Sequence, residues 1–428
     1  MDLTIEGKAF VNGAFNDCCI GIKNGKISSV KKILKCENHI NFGKKLVIPA
    51  GIDIHVHFRD PGMTPKEDFK TGSLAAAFGG ISCFFDMPNT IPQTNTVQSL
   101  NEKITSADKK SYIDFGLYAG VDDINFNVID KLSNLCSGFK IYLGDSTNAK
   151  GFETKNLRDN LINISKTKKP VLFHAEDSKE LIRHKRREEN LSDHLKSHPS
   201  ICEEISIKNI INASYGLNIK SHICHLSSIE GLDVLEKKPS NITVGVTPHH
   251  SLLSLNKQLV PQTFYKVNPP IRSEFDKESL FNAILNGSID LIESDHAPHT
   301  IKEKDTDFNE APSGIPGVET MLPLFLYLSK KEKIHISRLI SLICEKPAEL
   351  LGISKGKIEE GKDADLIVID LKNESKIKSE NLHSKCGWSP FEGWPAIFPS
   401  HLFVRGEKVI EGNEIQVGQG FGKFVEEK

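Results

Sequence analysis

The chain has 428 residues, a formal net charge of −2, 38% apolar and 26% charged residues, which is the mix of a globular protein with material for a sizeable core. That charge makes no electrostatic case for nucleic acid or an anionic membrane surface, and no apolar run approaches the roughly 18 residues of a membrane span. Nine scattered cysteines and an acidic, alternating start, MDLTIEGKAF, argue against a disulfide framework and a signal peptide, so a reducing, cytoplasmic setting is expected.

Residues 1–48 read as short strands and turns, with Asn24-Gly25 between two alternating runs as a hairpin signal. From Leu46 the texture changes. Buried-looking strands recur in LVIPAGIDIHVHF, GGISCFFDMPN, SYIDFGLYAG, SGFKIYLG, KPVLFHAE, IKSHICHLSS, NITVGVT and SIDLIESDHAP. Segments able to form helices, such as KEDFKTGSLAAAFGG and SLNEKITSADKK, lie between most of them. Near-continuous apolar strands alternating with helices imply parallel strands covered on both faces, and eight units favour a (β/α)8 TIM-type barrel over 49–352. Strand-and-turn texture returns in GKIEEGKDADLIVID and HLFVRGEKVIEGNEIQV. Segments 1–48 and 353–428 are therefore expected to pair into one small β-sandwich beside the barrel.

Barrel active sites sit at the C-terminal strand ends, so the polar residues found there are the informative ones. His55 and His57, at i and i+2 in IDIHVHFRDPG, share one face of a strand, with Ile54 and Val56 on the other. Lys140 lies in GFKIYL, His174 ends VLFHAE, His225 ends HICHLSS and Asp295 lies in IESDHAPH. Four imidazoles and a carboxylate converging on one mouth make a metal site. An ammonium cannot ligate a cation. Lys140 either pairs with Asp145 or reaches solvent, or its buried neutral amine reacts with carbon dioxide to give a carbamate with two ligand oxygens. Cys224, one residue before His225 on a strand, is expected to point away. His249 and His250 could simply close the end of strand seven. His184, His194 and His198, in RHKRREENLSDHLKSHPS, read as a solvated face.

Taken together, DIHVHFRDPG, DMPNT, FKIYL, FHAE, HICHLSS, TPHH, NPPIR, SDHAPHT, GIPGVETMLP and GKDADLIVID resemble the dihydroorotases of the amidohydrolase superfamily over nearly the whole length. The resemblance implies reversible cyclisation of N-carbamoyl-L-aspartate to L-dihydroorotate in pyrimidine synthesis, at a binuclear centre with a bridging hydroxide. It implies that His55, His57 and Asp295 bind the more buried metal, that His174 and His225 bind the second, and that carboxylated Lys140 bridges them. Two Zn²⁺ ions suit such ligands, and Asp295 is also the implied proton carrier. Arg59 is expected to fork onto the substrate carboxylate, with Asn89 and His299 beside it, Asn268 on the ring amide, and Ser313 and Gly314 offering backbone groups. For Arg59 the structural alternative is an ion pair with Asp60 or Glu67; for Asn89 and Asn268 it is a turn or capping role. The other readings carried forward are an allantoinase or hydantoinase-like amidohydrolase, whose substrates lack that carboxylate, and a non-catalytic scaffold. The expected partner is the small-molecule substrate, with no nucleic acid, no membrane, and a homodimer as the assembly to test.

Overall fold

The computed structural model describes residues 1–122, 128–145, 147–148, 151–152 and 154–425. Strands β1 (Leu3–Val11), β2 (Ala14–Lys23) and β3 (Lys26–Lys31) form an antiparallel meander, and β4 (His39–Pro49) returns parallel to β1. Both hairpin turns are Asn-Gly. Asn12, Gly13, Asn24 and Gly25 have φ of 52°, 80°, 52° and 75°, the positive values that a two-residue turn matched to strand twist requires.

The barrel strands are β5 (Gly51–Val56), β6 (Ile81–Asp86), β7 (Asp114–Gly120), β8 (Gly138–Tyr142), β9 (Val171–His174), β10 (Ser221–Ile223), β11 (Ile242–Val246) and β12 (Leu291–Ile292), parallel and paired in chain order. Between β12 and β5 the barrel is closed by a single bridge, Val56 to His296, where His57 N donates to His296 O at 2.8 Å. Alternation sorts the side chains. Cys83, Phe85, Tyr118, Leu172 and Leu291 share the barrel interior, while Phe84, Phe115, Phe139, Phe173 and Ile292 pack outward with the helices. A register shift between Asp53 and Val56 breaks that parity in β5. It puts Ile54 in the interior cluster and Val56 in the outer one, a bulge that re-aims the strand end.

The two helices expected first span Phe69–Phe78 and Val97–Lys110. Asp68 caps the first through Thr71 N, and Thr96 with Ser99 forms a capping box on the second. Such caps contribute about 1 kcal/mol each.

The C-terminal strands are β13 (Leu366–Ile369), the short pair β14 (Ser375–Lys376) and β15 (Pro395–Ala396), then β16 (His401–Val404), β17 (Glu407–Glu411) and β18 (Glu414–Ile415). Because β4 pairs with β1 on one edge and β13 on the other, both termini join one continuous eight-stranded ladder, in the order β18-β17-β16-β13-β4-β1-β2-β3. Ile5, Ile20, Val47, Leu366 and Phe403 form a separate core within this sheet. Buried Lys355 fastens sheet to barrel, with Nζ 2.7 Å from both Asp114 Oδ2 in β7 and Asp365 Oδ2 beside β13. Removing one member of such a buried set costs about 3–5 kcal/mol. Residues 375–396 leave the sheet. Ile377, Trp388 and Phe391 pack with Val267, Phe308 and Ile315 at the barrel mouth. Residues 426–428 lie outside the described residues.

Candidate metal centre

Three of the residues singled out above sit in left-handed backbone: Arg59 at φ 61°, His225 at 40° and Asp295 at 45°. Each costs on the order of 1–3 kcal/mol and persists only where the surroundings over-determine it. Here they follow the ends of β5, β10 and β12, and the turned backbone aims their side chains at the barrel axis.

On the floor of the cavity, Asp295 Oδ1 lies 3.3 Å from His55 Nε2 and 3.1 Å from His57 Nε2. His174 Nδ1 lies 3.1 Å from His225 Nε2, and the His55 and His225 ring centroids are 5.2 Å apart. The remaining nitrogen of three rings faces an acceptor. His55 Nδ1 is 3.2 Å from Glu293 Oε2, His57 Nδ1 is 2.6 Å from Asn89 Oδ1, and His174 Nε2 is 2.9 Å from Glu176 Oε2. A ring that donates outward to an oxygen keeps its inward nitrogen as a lone pair, which is how metal-binding histidines are oriented.

Burial favours the neutral form of these rings. Burial, the leading cause, lowers the His55 and His225 imidazoles and takes His57 down to about 3. Burial alone would raise the Asp295 carboxyl, but His55, His57 and His225 hold it well below the usual carboxylate range. Neutral imidazoles around an ionised carboxylate are ligands ready for a divalent cation.

Lys140 is fully buried beneath this set. Its Nζ donates to Cys224 Sγ at 3.2 Å and lies 5.1 Å from the Tyr142 ring centre. Asp145 instead accepts from Gly151 N. A buried ammonium contacting a thiol and an aromatic face is costly, so neither structural alternative for this lysine holds. Cys224 therefore points inward, against the strand-parity expectation: β10 ends at Ile223 and alternation stops with it.

All the expected site residues except Lys140 and His299 line one cavity, together with Tyr142, Thr147, Val267 and Ala297. Arg59 is 2% exposed. Its Nε donates to Pro298 O, and Nη2 lies 3.4 Å from His299 Nε2. Its Nη1 is buried without a partner among the described residues. Asp60 pairs with Lys110 at 2.6 Å and Glu67 faces His296 and Ser384, so the ion-pair alternative for Arg59 falls. Asn268 Oδ1 and the Tyr142 hydroxyl likewise have no partner among the described residues. His299 stands behind Arg59, with Nε2 3.1 Å from Ser313 O and Nδ1 3.1 Å from Lys66 Nζ. Asn89 does more than face the cavity: its Oδ1 holds His57 and its Nδ2 donates to Thr147 O at 2.8 Å.

The stretch expected to be a solvated face is mostly exposed or half-buried, but one of its rings turns inward. His194 is 1% exposed. It faces Glu188 Oε2 at 3.0 Å, and half-buried His198 faces Glu176 Oε1 at 2.8 Å; His184 is more exposed. Glu188, His194 and His198 are close enough to hold a cation, yet the Lys266 ammonium already lies 3.1 Å from the same Glu188 oxygen. Sequence reasoning missed Glu176 and Glu293. The one available signal was position, each being two residues from a ligand on the same strand end.

Comparison with known proteins agrees with this geometry. The model of the Amidohydrolase family matches residues 46–409. A dihydroorotase of Thermoplasma volcanium is 41% identical over 99% of this chain and 98% of its own length. A dihydroorotase of Methanosarcina acetivorans is 37% identical over 98% of this chain and 94% of its own. Among solved structures, the L-hydantoinase of Arthrobacter aurescens superposes with a TM-score of 0.94 at 27% identity, covering 99% of both chains. With this full-length match and a His–Asp cluster at the mouth of a parallel barrel, the chain belongs to the amidohydrolase family.

Proposed function

We propose that the protein is a dihydroorotase, opening L-dihydroorotate to N-carbamoyl-L-aspartate and closing it again. The observation that carries this reading is Arg59, a buried guanidinium that lines the cavity beside the histidine–aspartate floor and whose Nη1 has no partner among the described residues. A fixed cation beside a cyclic-amide site calls for a substrate carboxylate. Hydantoin and allantoin have none.

His55, His57 and Asp295 would hold one divalent ion and His174 with His225 a second, zinc being the ion such ligands suit. Carboxylation of Lys140 would give this buried side chain two acceptor oxygens able to hold metal. Bound metal would supply a low-pKa water and polarise the reacting carbonyl. Asp295 Oδ1, ionised and central, takes the proton of the attacking water and delivers it to the departing ring nitrogen. In the biosynthetic direction the same carboxylate returns the proton to the leaving water. Arg59, backed by His299 and the Pro298 carbonyl, orients the substrate carboxylate. Asn89 steadies His57 beside it. Asn268 meets the ring amide, and Ser313 with Gly314 brings backbone close: at Gly314, φ 150°, an added Cβ would lie 2.4 Å from Ala297 O. Burial in this cleft excludes bulk water from the proton path.

The decisive measurement is turnover of dihydroorotate, allantoin and hydantoin by the purified, metal-loaded protein. Dihydroorotate should be preferred, and Arg59→Met should cut kcat/KM for it about 10- to 100-fold while leaving hydantoin turnover unchanged. Preferred turnover of hydantoin by the wild type would favour the hydantoinase reading, to which the L-hydantoinase likeness also belongs. A metal-loaded protein inert towards all three would favour the scaffold reading. A cytoplasmic location fits nine free thiols. Among the described residues no helix is long and apolar enough to cross a membrane. A homodimer is testable by light scattering.

A further inference from the structure

Asn268 stands on a segment with no regular secondary structure, yet its Oδ1 must be presented to the cavity at a fixed point if it is to read a substrate. The flanking carbonyls show how that is done. Lys266 O accepts from Gly314 N at 2.9 Å and from Lys304 Nζ at 3.0 Å. Val267 O faces His194 Nε2 at 2.9 Å, and Pro269 O faces His250 Nε2 at 2.9 Å. Both rings are buried, 1% and 3% exposed. They come from separate elements, His194 from the helix Leu191–Ser197 and His250 from the helix Pro248–Leu252.

A carbonyl can only accept, so each Nε2 must carry its proton towards the segment. The other nitrogen is fixed too: His250 Nδ1 by the Thr247 hydroxyl at 2.8 Å, and His194 Nδ1 by Glu188 at 3.0 Å. Each ring is thus locked in orientation, and the two grip the chain on either side of Asn268.

We infer that His194 and His250 are positioning residues for substrate binding, a two-sided clamp that sets Asn268 against the substrate ring. Neither ring lines the cavity, so both act through the backbone. The clamp is remote from the metal ligands in its bonding, which predicts an effect on substrate affinity and none on metal content. The inference rests on the proposed role of Asn268, and the experiment separates the two.

Glutamine can place its amide nitrogen where His Nε2 stood, whereas asparagine is too short to reach the carbonyl. His194→Asn and His250→Asn should raise KM for dihydroorotate roughly three- to tenfold, the loss of one buried hydrogen bond. They should leave kcat within about twofold and metal content, by mass spectrometry of the holoenzyme, unchanged. His194→Gln and His250→Gln should recover most of the affinity. In an Asn268→Ala background, either Asn substitution should add little, because the group it positions is gone. Additive losses in that background, a fall in metal content, or failure of Gln to rescue would overturn the clamp. Unchanged KM in Asn268→Ala would remove the role of Asn268, and the clamp with it, while leaving the dihydroorotase reading intact. A wild-type protein inactive on dihydroorotate would instead refute that reading.

Discussion

The floor and the rim of the cavity are built on different principles. On the floor, the expected ligands stand on or just beyond strand ends, on β5, β8, β9, β10 and β12, and three of the histidines are fixed by one side-chain oxygen each. On the rim, Arg59, Asn268, His299, Ser313 and Gly314 stand on loops. Their neighbours hold them largely through main-chain oxygens: Pro298 O on Arg59, Ser313 O on His299, Lys266 O on Gly314. A strand end delivers a side chain by the geometry of the ladder. A loop has no ladder, so its position must be imposed from outside. On the proposed function, the floor would carry the chemistry and the rim the recognition.

The sharpest way to break this contrast is Asp295→Asn. It should retain the fold by circular dichroism and lower kcat by about 10²–10⁴-fold or more, without a comparable change in KM. Substantial remaining turnover would mean that the chemistry is not centred on the floor. Lys140→Ala comes next: metal content and activity should fall together, with partial rescue by short carboxylic acids that stand in for the carbamate. Full metal occupancy in that variant would remove Lys140 from the floor. Glu176→Gln tests whether the histidine supports matter, and chelator competition should show metal affinity weakened about 10- to 100-fold, with KM for dihydroorotate little altered.

The smallest effect belongs to the rim's support. Burial would raise the Glu188 carboxyl, but His194 and Lys266 bring it down to about 2. A carboxyl depressed on folding contributes stability that is full above its unfolded value, about 4.3, and is lost as pH falls towards its folded one. The melting-temperature gap between wild type and Glu188→Gln should therefore narrow on acidification from about pH 5 to about pH 3. A gap independent of pH would show that Glu188 supports the rim by packing rather than by charge.

Legibility followed the same divide. His55, His57, His174, His225 and Asp295 were readable because each closes an apolar strand and barrel mouths gather such residues. Cys224 was misread because parity was applied one residue too far, past the end of β10. His194 was misread because RHKRREENLSDHLKSHPS is a charged stretch, and composition does not reveal that its helix turns this ring inward onto Glu188. Asn89 was read as a substrate contact from its motif. That it also holds His57 depends on an approach across 32 positions of chain.

What the sequence determined by itself is therefore periodic and local: the alternation of strand and helix, the Asn24-Gly25 turn, and the identity of the residues that close each strand. What only the tertiary structure decided is which distant groups meet, namely the left-handed turns at Arg59, His225 and Asp295, the single ladder joining both termini, and the imidazoles that grip the Asn268 segment. The physical reason is that periodicity is a property of consecutive residues. A hydrogen bond between groups far apart in the chain depends on strand register and loop path, and the packing of the whole molecule sets those.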